Sequence, residues 1–180
     1  MAGPTKEKQS QSVPVGTTLD EKMAEPKIII AGGGFAGLAA AKALRKTPAK
    51  VDLIDRTNHH VFQPLLYQVA TSVLTPSQIA TPIRSVLRNH KSTTVILGEV
   101  TGVDKDQKCV FVSDADRQNV PIAFDYLILA TGATHSYFGH SEFAQYAPGL
   151  KSLADAEAAR NKILQAFEIS RGRGRSEPPS

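Results

Sequence analysis

The chain has 180 residues, 41% of them hydrophobic and 21% charged, the composition of an ordinary globular domain and not of a low-complexity or fibrous chain. Its 21 basic residues exceed the 17 acidic ones by a net +4, and Arg171, Arg173 and Arg175 supply three of the positives near one end, so no basic stripe is left to suggest nucleic acid. A lone cysteine, Cys109, excludes an internal disulfide framework and fits a reducing, intracellular setting; no run approaches the ~18 consecutive apolar residues that span a bilayer, which leaves only peripheral membrane contact.

Residues 1–25 are polar, hold Pro4 and Pro14, and carry no sustained hydrophobic period, so they read as a disordered leader. Ile28-Ile29-Ile30-Ala31 is a short, continuous, β-branched apolar run, as expected of a strand buried on both faces. The triple glycine Gly32-Gly33-Gly34 follows at once, then Ala- and Leu-rich residues that predict a helix over 38–46, ended by Pro48. Residues 51–55 form a second short apolar strand, which completes a strand–glycine turn–helix–strand unit with parallel strands.

Pro64, Pro76 and Pro82 divide the stretch 61–88 into a long connection with short helices expected at 77–79 and 83–88; excursions of this length are usually functional. Residues 94–97 predict another parallel strand. Segments 100–103, 109–112 and 120–124, separated by polar turns, suggest a small antiparallel meander, and 125–130 is the last strong strand. Apolar residues at Ala156, Ala159, Ile163, Ala166 and Phe167 predict a helix over 154–167, with Asp155 and Glu157 near its positive end. Residues 169–180 read as a flexible tail, leaving 26–168 as one domain.

Gly32, Gly34 and Gly37 spell Gly-x-Gly-x-x-Gly, and each position has a physical reason. The first permits a tight turn, the second lets backbone approach a pyrophosphate, and the third packs helix on strand, while the helix amino terminus favours the phosphate charge. A bare three-glycine pattern is weak. Here it follows a strand, opens a helix, and is followed about twenty positions on by Asp55, at the end of the next strand, where a ribose-binding acid belongs. The bland reading of Asp55 is a solvated turn aspartate. A second signal, DYLILATGA at 125–133, is a buried strand ending in Thr131-Gly132, and it resembles the second FAD fingerprint of glutathione-reductase-like flavoproteins. The sequence therefore predicts an α/β, Rossmann-like FAD-binding domain with a parallel sheet and a small antiparallel β-meander.

Three longer runs sharpen the resemblance: IIIAGGGFAGL at 28–38, DRTNHHVFQPLLYQVA at 55–70 and ATGATHSYFG at 130–139. Over residues 26–167 the chain resembles the type II NADH dehydrogenases. The resemblance implies non-covalent FAD held around Gly32, Gly34, Phe35, Ala36, Gly37, Asp55, Arg56, Val100, Thr131 and Gly132, with the Val100 backbone at the adenine. It further implies hydride transfer from NADH, electron delivery to a membrane quinone without proton pumping, and a cytoplasmic position, peripheral on the inner face of the cell membrane; a homodimer is left open. The family also carries a second glycine fingerprint for NADH, an acidic motif touching the flavin and carboxy-terminal amphipathic helices. None of these is among the 180 residues, so the NADH site is missing and the expected object is an incomplete two-dinucleotide-binding flavoprotein.

The alternatives are a sulfide:quinone reductase-like flavoprotein, disfavoured by the absence of any cysteine besides Cys109, and a non-catalytic dinucleotide-binding fragment. His59, His60 and Gln63 fall in the segment that the resemblance sets near the flavin, where a polar loop packed around Phe62 and Leu65 is favoured over a catalytic role. His135 and His140 are weaker candidates still. No residue is assigned to catalysis. The five histidines lack a cysteine or carboxylate cluster at ligand spacing, so no metal is expected, and Cys109, in a probable strand, is assigned to packing.

Overall fold

The computed structural model describes residues 25–173. Nearly all of the predicted leader, and the tail beyond 173, lie outside the described residues. Four strands, β1 (Lys27–Ala31), β2 (Lys50–Asp55), β5 (Thr93–Leu97) and β9 (Tyr126–Leu129), form one parallel sheet in the order β5-β2-β1-β9. The order reverses at β1: the chain first adds strands on one side of it and then adds β9 on the other. Sheets of this kind open a crevice at that reversal, beyond the carboxyl ends of the strands.

The remaining elements cover the sheet. On one face Ile28 and Ile30 of β1 pack with Leu38 and Ala41 of α1 (Phe35–Ala43) and Ile83 of α4 (Ile83–Val86). On the other face, Ile29 and Ile54 meet Val110 and Val112 of β7 (Cys109–Ser113), the centre of an antiparallel sheet between β6 (Glu99–Asp104) and β8 (Val120–Ala123). Burial on both faces is what the unbroken β-branched run of β1 foretells. Full burial of side chains such as Ile29 and Ile30 contributes roughly 1.5–3 kcal/mol each, which fixes the strand ends that carry the loops.

The connection between β2 and β5 holds a two-stranded antiparallel pair, β3 (His59–Val61) with β4 (Ala80–Pro82), and two short helices, α2 (Leu66–Ala70) and α3 (Pro76–Ile79). The β3–β4 pair was not anticipated; three-residue strands of mixed polarity give no usable period. Leu66, Val69 and Ala70 form a separate small core with Ile79 and with Ala156 of the last helix, α5 (Leu153–Arg173).

Two expectations need correction. The first helix begins at Phe35, directly on the glycine turn, and its predicted last residues, Leu44–Lys46, form a 3-10 turn instead. Helix α5 continues to Arg173, into the stretch read as a tail. Its apolar stripe beyond Ala159 does not pack: Ile163, Leu164 and Phe167 are all exposed, because the small core under α2 ends with the first two turns of α5. Cys109 is buried in β7, as its alternation with valines suggests.

Candidate functional site

A cavity of about 750 Å3 lies beyond the carboxyl ends of β1, β2 and β9, at the reversal in strand order. Its size is that of a site for an extended organic ligand. From the β1 end come Gly32, Gly33, Gly34, Phe35 and Ala36; from the β2 end Asp55, Arg56 and Thr57; from the β9 end Ala130, Thr131 and Gly132.

Each glycine of the loop has its own reason. Gly32 sits at φ +105°, and a Cβ there would overlap the carbonyl oxygen of Ala130, because β1 and β9 end in step with Ala31 opposite Leu129. A Cβ on Gly37 would overlap the Gly32 carbonyl oxygen, so this glycine sets helix on strand and stays outside the cavity. Gly33 is closed in by Ile83 and Asp55. Gly34 differs from all three. Its backbone conformation, φ −71° and ψ −164°, is open to any residue, and a Cβ there meets no atom within 4 Å. Nothing in the described fold demands glycine at 34.

Gly34 is also the N-cap of α1, and it supplies no side-chain hydrogen bond to the helix. The first amides of α1 are left for a ligand, and helix amino termini favour anionic ones.

Asp55 is half-buried and bonds both to its own turn and to the glycine loop. Its Oδ2 accepts from the Gly33 amide at 2.7 Å, and its Oδ1 accepts from the Thr57 amide and hydroxyl, both at 2.8 Å, and from the Asn58 amide at 3.0 Å. Burial pulls this carboxyl upward, but the Gly33, Thr57 and Asn58 donors outweigh it and hold the group below the usual aspartate value. The carboxylate thus fastens the glycine loop to the turn after β2. Arg56 beside it is ion-paired with Glu99 at 3.7 Å, both side chains being largely exposed.

Val100 does not line the cavity. It is half-buried in β6 and packs into the core around Ile29 and Ile54, so only its backbone remains for any contact with a cofactor. His59, His60 and Gln63 do line it; the His60 ring stands edge-on to Phe35 at 4.8 Å between centroids. His135 lines it as well, whereas His140 pairs with Glu142 at 3.0 Å and stacks on Phe143.

The fourth wall was missed. Lys151, Ser152, Leu153 and Asp155 bring the amino terminus of α5 to the cavity. Ser152 and Asp155 cap it reciprocally: the Asp155 amide donates to Ser152 Oγ at 3.1 Å, and the Ser152 amide donates to Asp155 Oδ2 at 2.7 Å. The Ser-x-x-Asp signature of a capping box was legible ahead of the apolar stripe; that it faces the glycine loop was not. Burial raises the Asp155 carboxyl, yet the amides of Lys151 and Ser152, the Ser152 hydroxyl and nearby His135 bring it below its ordinary value.

Residues 26–171 match the pyridine nucleotide-disulphide oxidoreductase family. The chain belongs to that family. Over 142 residues it is 48% identical to a type II NADH:quinone oxidoreductase of Mycobacterium tuberculosis, a match covering 79% of this chain and 30% of the relative. A demethylphylloquinone reductase of Synechocystis is 31% identical, with 78% of this chain and 36% of the relative covered. Among solved structures, the NDH2 of Plasmodium falciparum in complex with NADH superposes with a TM-score of 0.75 at 29% identity, over 82% of this chain and 30% of that one. The sulfide:quinone oxidoreductase of Aquifex aeolicus, at 20% identity and a TM-score of 0.66, shares the fold. The chain therefore spans about a third of the length of these relatives.

Proposed function

We propose that the chain is the FAD-binding portion of an NADH:quinone oxidoreductase, which in the whole protein passes electrons from NADH through FAD to a membrane quinone. The observation that carries the cofactor reading is Gly34: an unconstrained, open-faced glycine at the uncapped start of α1, on the wall of a cavity at the strand-order reversal. That combination suits a pyrophosphate, and the identity to type II NADH:quinone oxidoreductases supports this reaction. Bound flavin supplies the chemistry of accepting a hydride.

On this reading the chain's own groups position the cofactor. The α1 amides receive the pyrophosphate. Asp55 keeps the loop in place and offers its remaining acceptor capacity to the ribose, while the Thr131-Gly132 corner, with Gly132 at φ +74°, allows close approach from the β9 side. Val100 would serve through its backbone, at the adenine. A peripheral membrane position is proposed from the resemblance to the type II enzymes; no helix among the described residues is long and apolar enough to cross a bilayer.

The sulfide:quinone reductase-like alternative rests on fold alone, and the only thiol, Cys109, is buried in β7 and does not line the cavity. Reconstitution with FAD followed by gel filtration tests the cofactor assignment. Retained oxidised flavin absorbance near roughly 450 nm is expected at one equivalent per chain. Protein that elutes folded and colourless would leave a dinucleotide-shaped scaffold without a flavin.

A further inference from the structure

We infer that the β5 edge of the parallel sheet carries a second anion site, built for a phosphate group and separate from the dinucleotide cavity. A cavity of about 320 Å3 opens there among Arg84, Arg88, His90, Thr93 and Thr94, floored by Leu87. It lies at the amino end of β5, where Thr93 pairs with Val51, whereas the dinucleotide cavity lies at the carboxyl ends of the strands.

Two of its lining groups are orphaned in the same place. His90 Nδ1 and Thr93 Oγ1 are both fully buried atoms with no hydrogen-bond partner. Buried polar atoms are rarely left so, and each such exception asks for an explanation. The backbone that carries both residues is held in place. The His90 amide donates to the Leu87 carbonyl at 2.9 Å, the Thr93 amide to the His90 carbonyl at 3.0 Å, and the Val51 amide to the Ser92 carbonyl at 2.8 Å, so the turn that carries them is tied to α4 and to β2.

The charge around them has one sign. No carboxylate lines the cavity, and Asp52, the strand neighbour of Thr94, is engaged by Lys27 at 3.2 Å. The sequence from 56 to 98 contains Arg56, Arg84, Arg88 and Lys91 and neither Asp nor Glu. Arg84 is held in position by donating from Nη2 to the Val95 carbonyl at 3.0 Å, which spends one of its five N–H groups and leaves the fork to point elsewhere. Two arginines, a histidine and a threonine lining one small cavity supply the residue types of a tetrahedral-oxyanion site, since Arg binds phosphate in a forked, charge-assisted way. The volume sits at the small end of ligand sites. It accommodates a phosphate with a small organic remainder.

The test is a titration of the isotope-labelled, full 180-residue chain, followed by the His90 ring and Thr93 amide resonances, with inorganic phosphate in one arm and glycerol 3-phosphate in the other. Saturable shifts centred on these two residues are expected. Arg88→Gln, on an exposed side chain, should weaken binding about tenfold, the equivalent of one charge-assisted hydrogen bond, with the remaining spectrum unchanged; His90→Gln should act in the same direction. Lys105→Gln, in the turn after β6, should have no effect. Tighter binding of glycerol 3-phosphate identifies a phosphorylated small molecule as the occupant, and tighter binding of inorganic phosphate identifies the free ion; both uphold the site. Shifts that never saturate, shifts that spread over surface lysines, or equal losses in Arg88→Gln and Lys105→Gln would overturn it.

Discussion

Four glycines crowd the start of α1, and the structure gives them opposite mutational behaviour. Gly34→Val places a side chain in open space on an ordinary backbone conformation, so stability should change by about 1 kcal/mol or less, while flavin retention on gel filtration is lost because the side chain takes the pyrophosphate's place. Gly37→Ala should do the reverse. Helix propensity alone would favour alanine by roughly 1 kcal/mol, but its Cβ would overlap the Gly32 carbonyl, and such overpacking costs about 1–3 kcal/mol; thermal melting of the flavin-free chain should show the net loss. A Gly34→Val variant that kept its flavin at full stoichiometry would remove the loop from the pyrophosphate.

Asp55 offers a second test at this scale. Its folded carboxyl lies below its usual value, so it contributes stability that is present above the unfolded value of about 3.9 and is lost as the pH falls through the lower, folded value. Asp55→Asn keeps a single, neutral acceptor oxygen and sets an NH2 against either the Gly33 amide or the Thr57 and Asn58 amides, and should cost about 1–3 kcal/mol at pH 7. Because Asp155 and Asp114 titrate downward-shifted in the same region, urea midpoints of wild type will fall with acid in any case. The diagnostic quantity is the gap between wild type and Asp55→Asn, which should close below pH 4. A gap independent of pH would mean that the lost contacts are not carried by the charge.

At the scale of the element, α5 is one helix with two fates. Its first turns bury Ala156 against α2 and are capped by Ser152 and Asp155 at the cavity wall; from Ile163 onward every described side chain faces solvent, including Phe167 at 66% and Ile169 at 58% exposure. A helical segment without tertiary support is marginal on its own. Amide exchange should therefore be slow for residues 156–160 and fast for 164–172, and Ser152→Ala should cost about 1 kcal/mol and accelerate exchange in the first turns alone. Uniform protection along α5 would show that the distal half finds a second surface to pack on. The β9 strand poses the same question, for it is an outer strand of the parallel sheet and leaves Tyr126 and Leu129 63% and 64% exposed.

For the whole molecule, binding a flavin and turning over NADH are separate capacities. Hydride transfer needs nicotinamide held against flavin at about 3–3.5 Å, and much of the rate enhancement comes from that positioning. The sequence carries one Gly-x-Gly-x-x-Gly loop, and it lines the cavity assigned to FAD. The 180-residue chain should therefore oxidise NADH with a soluble quinone no faster than an equal concentration of free FAD. Saturable turnover would reveal a second nucleotide site in this chain. The exposed apolar side chains of α5 should also make the chain associate with rising concentration in sedimentation velocity.

What the sequence determined by itself is whatever rests on local pattern. Ile28 to Gly37 encodes a buried strand, a turn and a helix in ten residues, and the spacing to Asp55 and the Thr131-Gly132 corner encodes two further strand ends, because burial on two faces and positive φ restrict residue choice at those positions. Only the tertiary structure decided how these ends meet: that Asp55 is spent largely on Gly33 and its own turn, that Val100 faces the core, and that the capped end of α5 closes the cavity. It also decided that the apolar stripe of α5 is half unused, and that His90 and Thr93 share an unsatisfied corner at the sheet edge. Periodicity reports which face of an element is apolar; strand order and register, set by contacts between residues far apart in the chain, decide what that face meets.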